Sequence, residues 1–396
     1  MAGILQQFIP NYLKRGVLKS KPLQSASQKQ RRLIVVQLGG GNDGLNTIVP
    51  YRDDIYHNCR PELGLKKSDV IDLNGNVGLN PGLGGIQSLY DEGLVSIINS
   101  VGYPNPNRSH FVSMDIWHTG SLRMSRDMTG WIGRYLDHYA DPNNAFSAVE
   151  TSDLLSLALR GEETSGIAVN DFVDLFAQMQ SQDIQHTIIQ PQPKIDDNPN
   201  LQVIYQKLKE GYYSLEPIVE KFSTTSSQAN YSNDEFGKDC KAITDLILAG
   251  APTQVFYLPH GGFDTHVSQQ SKHRMLLQTF SDNVAEMVKT LKSHNQWKDT
   301  TVLVFSEFGR RVKENGSKGT DHGAANVSFV ISDHLTQPGI VNEMPDLSDL
   351  YDGDIRYQVD FRDIYHDILA DWLGVDAGLI LREKFSGIGL FNKSMA

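Results

Sequence analysis

Short apolar segments rich in β-branched residues recur along the chain, and each is bounded by turn-forming residues. They lie at Leu33–Leu38, Leu94–Asn99, Gln254–Leu258, Thr301–Phe305 and Val327–Ile331. Continuous apolar runs of this length are typical of strands that are buried on both faces. The pattern therefore predicts five core strands.

The segments between these strands have the spacing of amphipathic helices. Apolar residues recur every three or four positions in Gly84–Glu92, Phe111–Thr119, His273–Lys292 and Asp363–Leu373. Alternation of strand and helix favours a mostly parallel sheet that is covered by helices on both faces. The sequence thus predicts a three-layer α/β/α sandwich.

Two parts of the chain depart from this alternation. Residues 1–30 mix apolar and basic positions and are predicted to be an extension that precedes one domain over residues 31–396. Gln180–Asn200 is rich in Gln, Pro, Asp and Asn, which indicates a loop, and the surrounding Ser152–Gly250 is predicted to be a mainly helical insertion or cap. Because insertions at a strand edge commonly set substrate choice, we expect this one to do so.

Composition narrows the class of protein. The 396 residues are 39% hydrophobic and 21% charged, as in soluble globular proteins. Lys and Arg number 36 against 47 Asp and Glu, the formal charge is -11, and no long basic run occurs, so a nucleic-acid partner is not expected. Cys59 and Cys240 lie too far apart in sequence to argue for a disulfide framework or a cysteine metal site.

Membrane and export signals are not visible in this chain. No apolar run is long enough for a membrane span, and the apolar residues after Arg31 and Arg32 are too few for a twin-arginine signal. The compartment and the oligomeric state stay open.

Polar and glycine-rich segments flank the predicted strands. Gly39–Gly44, Asn105–His110, His260–His266 and Ser306–Arg310 each follow a strand, and Gly319–Gly323 precedes the fifth. In open parallel sheets, the loops beyond the carboxyl ends of the strands converge on one crevice. We therefore expect these five segments to form one site.

The glycine run after the first strand has two interpretations. Gly39, Gly41 and Gly44 have the spacing of a dinucleotide-binding loop. That motif must open a helix, whereas Leu45–Val49 is rich in β-branched residues and a proline follows it. We therefore interpret Asp43, which lies within the run, as a carboxylate metal ligand.

Candidate ligands also occur in the later segments. Asp264 and His266 are one residue apart after two glycines, and a carboxylate with an imidazole suits zinc, manganese or a similar metal, although Asp264 could instead cap a helix. His322 adds a second imidazole. Glu307 leaves a buried strand and needs either an ion or an ion pair with Arg310 or Arg311.

Ser109 is the candidate nucleophile. It follows a turn-rich segment and precedes a predicted helix, so its hydroxyl could simply cap that helix. The same place puts it at the positive end of the helix, where an oxyanion is favoured and a nearby metal could activate it. No Gly-x-Ser-x-Gly motif surrounds it, which argues against a serine-hydrolase triad.

From Leu33 to Gly374 the chain resembles the bacterial family called domain of unknown function 1501, which is placed by similarity in the alkaline phosphatase superfamily. The resemblance rests on Gly40–Thr47, Asn107–Phe111, Thr129–Leu136, Gly261–His266, Phe305–Arg311 and Gly319–Gly323. It implies an alkaline-phosphatase-like fold and a metal-dependent hydrolase of phosphate or sulfate esters. Members of the family are often exported to the bacterial periplasm.

The resemblance also implies roles for individual residues. It implies one or two divalent ions, with zinc, manganese, calcium and magnesium left open as their identity. Ser109 would be the nucleophile, and Arg108 or Arg310 would bind the non-bridging oxygens of the ester. The implied metal ligands are Asp43 and Glu307 for one ion, and Asp264, His266 and His322 for the other.

One departure from the superfamily pattern supports a different function. Phe308 stands where many members have the histidine of an Asp-His pair, so the site served by Glu307 is one imidazole short. The alternative is a binding or assembly protein on a catalytically degenerate scaffold. In either case we expect Ser109 and the implied ligands to share one cleft, with Asp321 supporting them from behind.

Overall fold

A computed structural model describes residues 31–123, 128–141, 144, 146–181, 199–225, 227 and 229–392. The predicted extension at residues 1–30 lies outside the described residues. So does most of the predicted loop at Gln180–Asn200.

The described residues form strands and helices in close alternation. The strands are β1 (Arg32–Leu38), β2 (Ile48–Val49), β3 (Ile71–Asp72), β4 (Gly78–Leu79), β5 (Val95–Gly102), β6 (Ala148–Glu150), β7 (Ile167–Ala168), β8 (Val255–His260), β9 (Thr300–Phe305), β10 (Arg310–Glu314), β11 (Thr320–His322), β12 (Asn326–Ile331), β13 (Gly339–Ile340), β14 (Leu350–Tyr351), β15 (Asp354–Ile355) and β16 (Val359–Asp360). The helices are α1 (Asp54–Cys59), α2 (Gly84–Asp91), α3 (His110–Thr119), α4 (Trp131–Tyr139), α5 (Phe172–Met179), α6 (Pro199–Thr224), α7 (Glu235–Leu248), α8 (Gln269–Ser293), α9 (Phe361–Asp367) and α10 (Ala377–Leu381).

A central sheet orders its strands β13-β5-β12-β9-β1-β8-β6-β7, and β16 pairs with β5. The pairs of β1 with β8 and β9 are parallel, as are those of β6 with β7 and β8. β12 runs antiparallel to both of its neighbours, β5 and β9. The start of β12 therefore lies at the same edge as the carboxyl ends of β1, β5, β8 and β9.

The side chains of β1 alternate between two cores. Ile34 and Val36 pack with α2, α7 and α8 on one face of the sheet. Leu33 and Val35 pack with α3, α4, α9 and α10 on the other. Burying one such side chain contributes about 1.5–3 kcal/mol, so both helical layers are held by the same strands. The three-layer α/β/α fold and the mostly parallel sheet are confirmed.

Ser152–Gly250 is mainly helical in its described part, because it contains α5, α6 and α7. It also supplies β7 to the edge of the central sheet, beside β6. Residues of α7, such as Ile243, are buried in the same core as α8. Part of the segment is therefore built into the sandwich, and its role as a cap that selects substrate stays a prediction.

The glycine-rich loop after β1 permits close packing. Gly40 has φ +118°, and a Cβ there would lie 2.4 Å from the main-chain nitrogen of Asp264. A Cβ on Gly41 would lie 2.4 Å from the Phe308 ring. A turn of only three residues, Gly44–Asn46, follows the loop and leads into β2, so the helix of a dinucleotide-binding motif is not formed. No helix in the described ranges is long and apolar enough to cross a membrane.

Candidate metal centre

Three imidazoles converge on one carboxylate oxygen at the edge of the sheet. Asp264 Oδ1 lies 3.0 Å from His266 Nε2 and 3.1 Å from His322 Nε2. His110 Nε2 lies 3.7 Å from the same oxygen. His266 Nε2 and His322 Nε2 are themselves 3.0 Å apart. We call these four residues the histidine cluster.

Each member of the histidine cluster comes from the end of a strand or the start of a helix. His110 is the first residue of α3, which follows β5. Asp264 and His266 lie in the loop between β8 and α8. His322 ends β11, just before β12, and pairs with Arg310 across the β10–β11 ribbon. The antiparallel direction of β12 brings His322 to the edge that the other ligands occupy.

The second nitrogen of each imidazole meets a group that can only accept a hydrogen bond. The Nδ1 partners are Glu307 Oε1 for His110 (2.7 Å), Asp321 Oδ1 for His266 (3.1 Å) and the main-chain oxygen of Arg108 for His322 (2.9 Å). Each Nδ1 must therefore donate, and in the neutral ring this leaves the Nε2 lone pair directed into the cluster. Metal-binding histidines in proteins are oriented in the same way.

The spacing of these atoms fits ligands of a single ion. Ligands bound tetrahedrally at about 2.0–2.2 Å lie roughly 3.3–3.5 Å from one another. The four separations given above, 3.0 to 3.7 Å, bracket that value. The ligand atoms of His110, Asp264 and His322 all lie within 4.8 Å of one another. The side chain of Asp264 is 48% exposed, so the centre is reachable from solvent. Imidazole nitrogens with one carboxylate suit zinc or a similar transition metal.

Arg310 fixes the carboxylate of the cluster. Its side chain is fully buried, and Nη2 donates to Asp264 Oδ1 at 2.7 Å. Its Nε and Nη1 donate to the main-chain oxygens of Gly41 and Thr320. Partial burial raises the pKa of Asp264, but the hydrogen bond and the positive charge of the Arg310 guanidinium outweigh it and lower this pKa to about 2. Arg310 thus holds the Asp264 carboxylate in place, and its guanidinium nitrogens donate to acceptors inside the protein.

Glu307 lies behind His110. Its side chain is buried, Oε1 also accepts from the main-chain nitrogen of Gly40 at 2.9 Å, and Oε2 accepts from Ser306 Oγ at 3.1 Å. The hydrogen bond to Glu307 raises the pKa of His110, against the opposing effect of burial. The structure therefore connects Glu307 to a candidate ligand, whereas the sequence analysis expected Glu307 itself to bind an ion.

Asp43 is not brought to the histidine cluster. Arg60 Nη1 and Nη2 bind its two oxygens at 2.6 and 3.0 Å, and Gln269 Nε2 donates to Oδ2 at 2.5 Å. Both ionic side chains are buried. Burial raises the pKa of Asp43, but the Arg60 guanidinium brings it below the usual value. The expected second ion site, held by Asp43 and Glu307, is not formed among the described residues, because the charge of Asp43 is already compensated.

Ser109 lies between two residues that contact the histidine cluster. It is exposed and occupies the N-cap position of α3, although its hydroxyl does not cap the helix. His110 follows it, and the main-chain oxygen of Arg108 precedes it. The guanidinium of Arg108 binds Asp352 and Asp354, so it does not face the cluster as a donor for substrate oxygens.

His110 is the functional candidate that the sequence analysis missed. The available signal was its position, directly after Ser109 and at the start of a helix that follows a core strand. Phe308 stands where many superfamily members have a histidine, and it is buried. The centre of its ring lies 4.8 Å from the ring centre of His110 and 4.8 Å from that of His322. Phe308 therefore forms a wall of the site, and His110 supplies an imidazole from another segment.

A family profile described as "Protein of unknown function (DUF1501)" matches residues 98–379. No curated protein matches the sequence. Several solved structures are similar to this chain with TM-scores below 0.5.

Three of these structures show how similar they are to this chain in sequence identity, TM-score and coverage. The lipoteichoic acid synthase LtaP from Listeria monocytogenes is 11% identical, with a TM-score of 0.41 over 98% of this chain and 82% of that one. The PsFucS1 sulfatase from Pseudoalteromonas sp. is 12% identical, with a TM-score of 0.42 over 92% and 73%. The C-terminal periplasmic domain of EptC from Escherichia coli, solved in complex with Zn, is 11% identical, with a TM-score of 0.36 over 80% and 78%.

Proposed function

The chain belongs to the DUF1501 family, and we propose that it is a hydrolase of phosphate or sulfate esters that uses one divalent cation at the histidine cluster. The observation that carries the proposal is the convergence of three Nε2 atoms on Asp264 Oδ1. Each imidazole is held from behind by an acceptor, and the carboxylate is held by Arg310. The cluster is therefore oriented before any ligand arrives, as metal centres require.

The bound cation would supply positive charge beside the non-bridging oxygens of the ester. The residues of the cluster hold that charge, and Asp264, with a pKa of about 2, is ionised at neutral pH. The start of α3 adds main-chain N–H groups and the positive end of a helix dipole, which favour an anionic group at the same place.

Ser109 supplies the nucleophile in this proposal. Its oxygen forms a bond to phosphorus or sulfur while the bond to the leaving oxygen breaks. The serine proton passes to solvent, and the leaving alkoxide takes a proton from solvent and departs as the alcohol. Water then hydrolyses the seryl ester and restores the hydroxyl. The support for this role is the exposed, uncapped hydroxyl of Ser109 beside His110.

The test is turnover of aryl phosphate and aryl sulfate esters by protein loaded with zinc or manganese. We expect turnover to be lost in Ser109→Ala and in His322→Ala. Ser88→Ala, which changes an exposed serine on α2, is the matched control and should retain it. Turnover that persists in Ser109→Ala would overturn the nucleophile assignment.

A second candidate function is metal-dependent binding or assembly without turnover. The observation that favours it is the Asp43–Arg60 ion pair, which leaves one candidate ion site instead of two among the residues that the structure describes. Protein that binds one metal ion tightly but hydrolyses no ester in the panel would support this function over the first.

A further inference from the structure

We propose that Arg108 is a positioning residue through which the β14–β15 hairpin sets the orientation of the histidine cluster. The inference rests on the proposed function, because it concerns the metal centre named there. It assigns to Arg108, Asp352 and Asp354 a task that does not require contact with substrate.

The side chain of Arg108 is anchored to the hairpin by a forked ion pair. Nε and Nη2 approach Asp354 Oδ2 at 2.8 and 2.5 Å. Nη2 also donates to Asp352 Oδ2 at 2.9 Å. Asp354 is 2% exposed, so this contact fixes the guanidinium against a carboxylate that has little freedom to move. A planar guanidinium bound at two of its nitrogens has a defined orientation.

The main chain of Arg108 serves the cluster directly. Its carbonyl oxygen accepts from His322 Nδ1 at 2.9 Å. The next residue is the candidate nucleophile Ser109, and the one after it is His110. Anchoring one side chain therefore fixes the carbonyl that orients His322 and the start of the helix that carries His110.

The hydrogen bonds of Arg108 indicate that its ion pairs with Asp352 and Asp354 do more than stabilise the fold. Arg108 is 35% exposed, and its ion pair with the exposed Asp352 contributes little to folding. Asp354 Oδ1 is buried and makes no hydrogen bond, which is unfavourable. Asp354 Oδ2 takes both hydrogen bonds from Arg108, whereas Oδ1 has only a long ion pair with Arg311 Nε at 3.9 Å. Such a network is poorly suited to stabilise the fold, but it is well placed to orient the segment before α3.

The experiment measures cobalt(II) binding by equilibrium dialysis and by the visible spectrum of the bound ion, with circular dichroism as a check of folding. We expect Asp354→Asn to weaken cobalt binding about 10- to 100-fold, as loss of a group behind a metal ligand does, and to change the visible spectrum. Arg108→Lys keeps the charge but loses the fork, and it should weaken binding in the same direction.

Asp349→Asn is the matched control. It removes the Asp349–Arg356 ion pair, 2.8 Å long, beside the same hairpin but unconnected to His322. This variant should bind cobalt like the unaltered protein. If Asp354→Asn and Arg108→Lys also bind cobalt with unchanged affinity and spectrum, the positioning role is wrong while the metal centre stands. If the unaltered protein binds no cobalt, the proposed metal centre itself is overturned, and this inference with it.

Discussion

His266 Nε2 lies 3.0 Å from His322 Nε2, although 56 positions separate the two residues in sequence. The Nδ1 atom of each ring donates to an acceptor, so the two Nε2 atoms face each other with lone pairs. Two lone pairs at this distance repel unless a proton or a cation lies between them. Helix caps would not bring two such atoms together, whereas a shared proton or a bound cation satisfies both.

The first prediction concerns His110, the candidate ligand that was not identified from the sequence. His110→Gln should weaken zinc binding more than the roughly 10- to 100-fold expected for loss of an outer partner, because it removes a ligand atom. Isothermal titration with zinc measures the effect. His334→Gln is the control, because His334 is hydrogen-bonded to the main-chain oxygen of Lys298. This variant should bind zinc with the same affinity as the unaltered protein. Equal zinc affinity in both variants would remove His110 from the centre.

The second prediction separates two roles for Glu307. If Glu307 orients His110 from behind, Glu307→Gln should reduce zinc affinity about 10- to 100-fold but leave one ion bound per chain at saturation. If it is itself a ligand, the loss should match that of His110→Gln. Zinc content at saturation, measured by elemental analysis together with titration, decides between them.

The third prediction concerns the buried pair of Asp43 and Arg60. Asp43→Asn leaves the Arg60 charge buried without its partner, so the free energy of unfolding at pH 7 should fall by about 3–5 kcal/mol. The pKa of Asp43 is lower in the folded protein than its usual value. Its stabilisation is therefore present above about pH 4 and is lost as the pH falls through the folded pKa. Urea unfolding in the presence of a chelator measures both effects.

One outcome would contradict the interpretation that Asp43 is a partner of Arg60 and not a metal ligand. A variant Asp43→Asn that unfolds at the same urea concentration as the unaltered protein but no longer binds metal would make Asp43 a ligand. The two-ion arrangement of the sequence analysis would then be correct.

The fold was predictable in its main features. The five apolar runs all form strands, because buried strands of a parallel sheet carry continuous apolar residues that are visible without structure. β6 and β7 were missed, since segments of three and two residues are too short to show a periodicity. The antiparallel direction of β12 was not visible either, because strand direction depends on the partners with which it pairs.

The site was predictable by chain segment but not by the role of each residue. Asp264, His266 and His322 were identified from residue type and place, and the structure brings them together. Asp43 and Arg310 were expected to face the ligand and instead bind partners inside the protein. Long-range ion pairs such as Asp43 with Arg60 depend on how the layers pack, and spacing in the sequence does not show them.

The fourth prediction is a pH dependence of stability from Asp239, a buried residue on α7. Burial raises the pKa of Asp239 to about 7, and the nearby carboxylates of Glu235 and Asp234 add to the effect. Because the folded pKa lies above the unfolded value of about 3.9, stability is full below pH 4 and is lost as the pH rises through 7. Asp239→Asn cannot ionise, so its melting temperature should fall less between pH 5 and pH 8.

The check is thermal unfolding of both proteins across that pH range, again with a chelator present so that metal binding does not contribute. Asp333→Asn, at an exposed position, is the control. Melting temperatures of the Asp239→Asn and unaltered proteins that run parallel from pH 5 to pH 8 would show that Asp239 does not titrate in this window.

The most direct test of the central claim is anomalous diffraction at the zinc edge from crystals soaked with zinc. The account predicts one strong peak per chain, within about 2.0–2.3 Å of imidazole Nε2 atoms and an oxygen of Asp264. The imidazoles are those of His110, His266 and His322. A crystal with no peak at the histidine cluster, or with its peak beside Asp43, would contradict it.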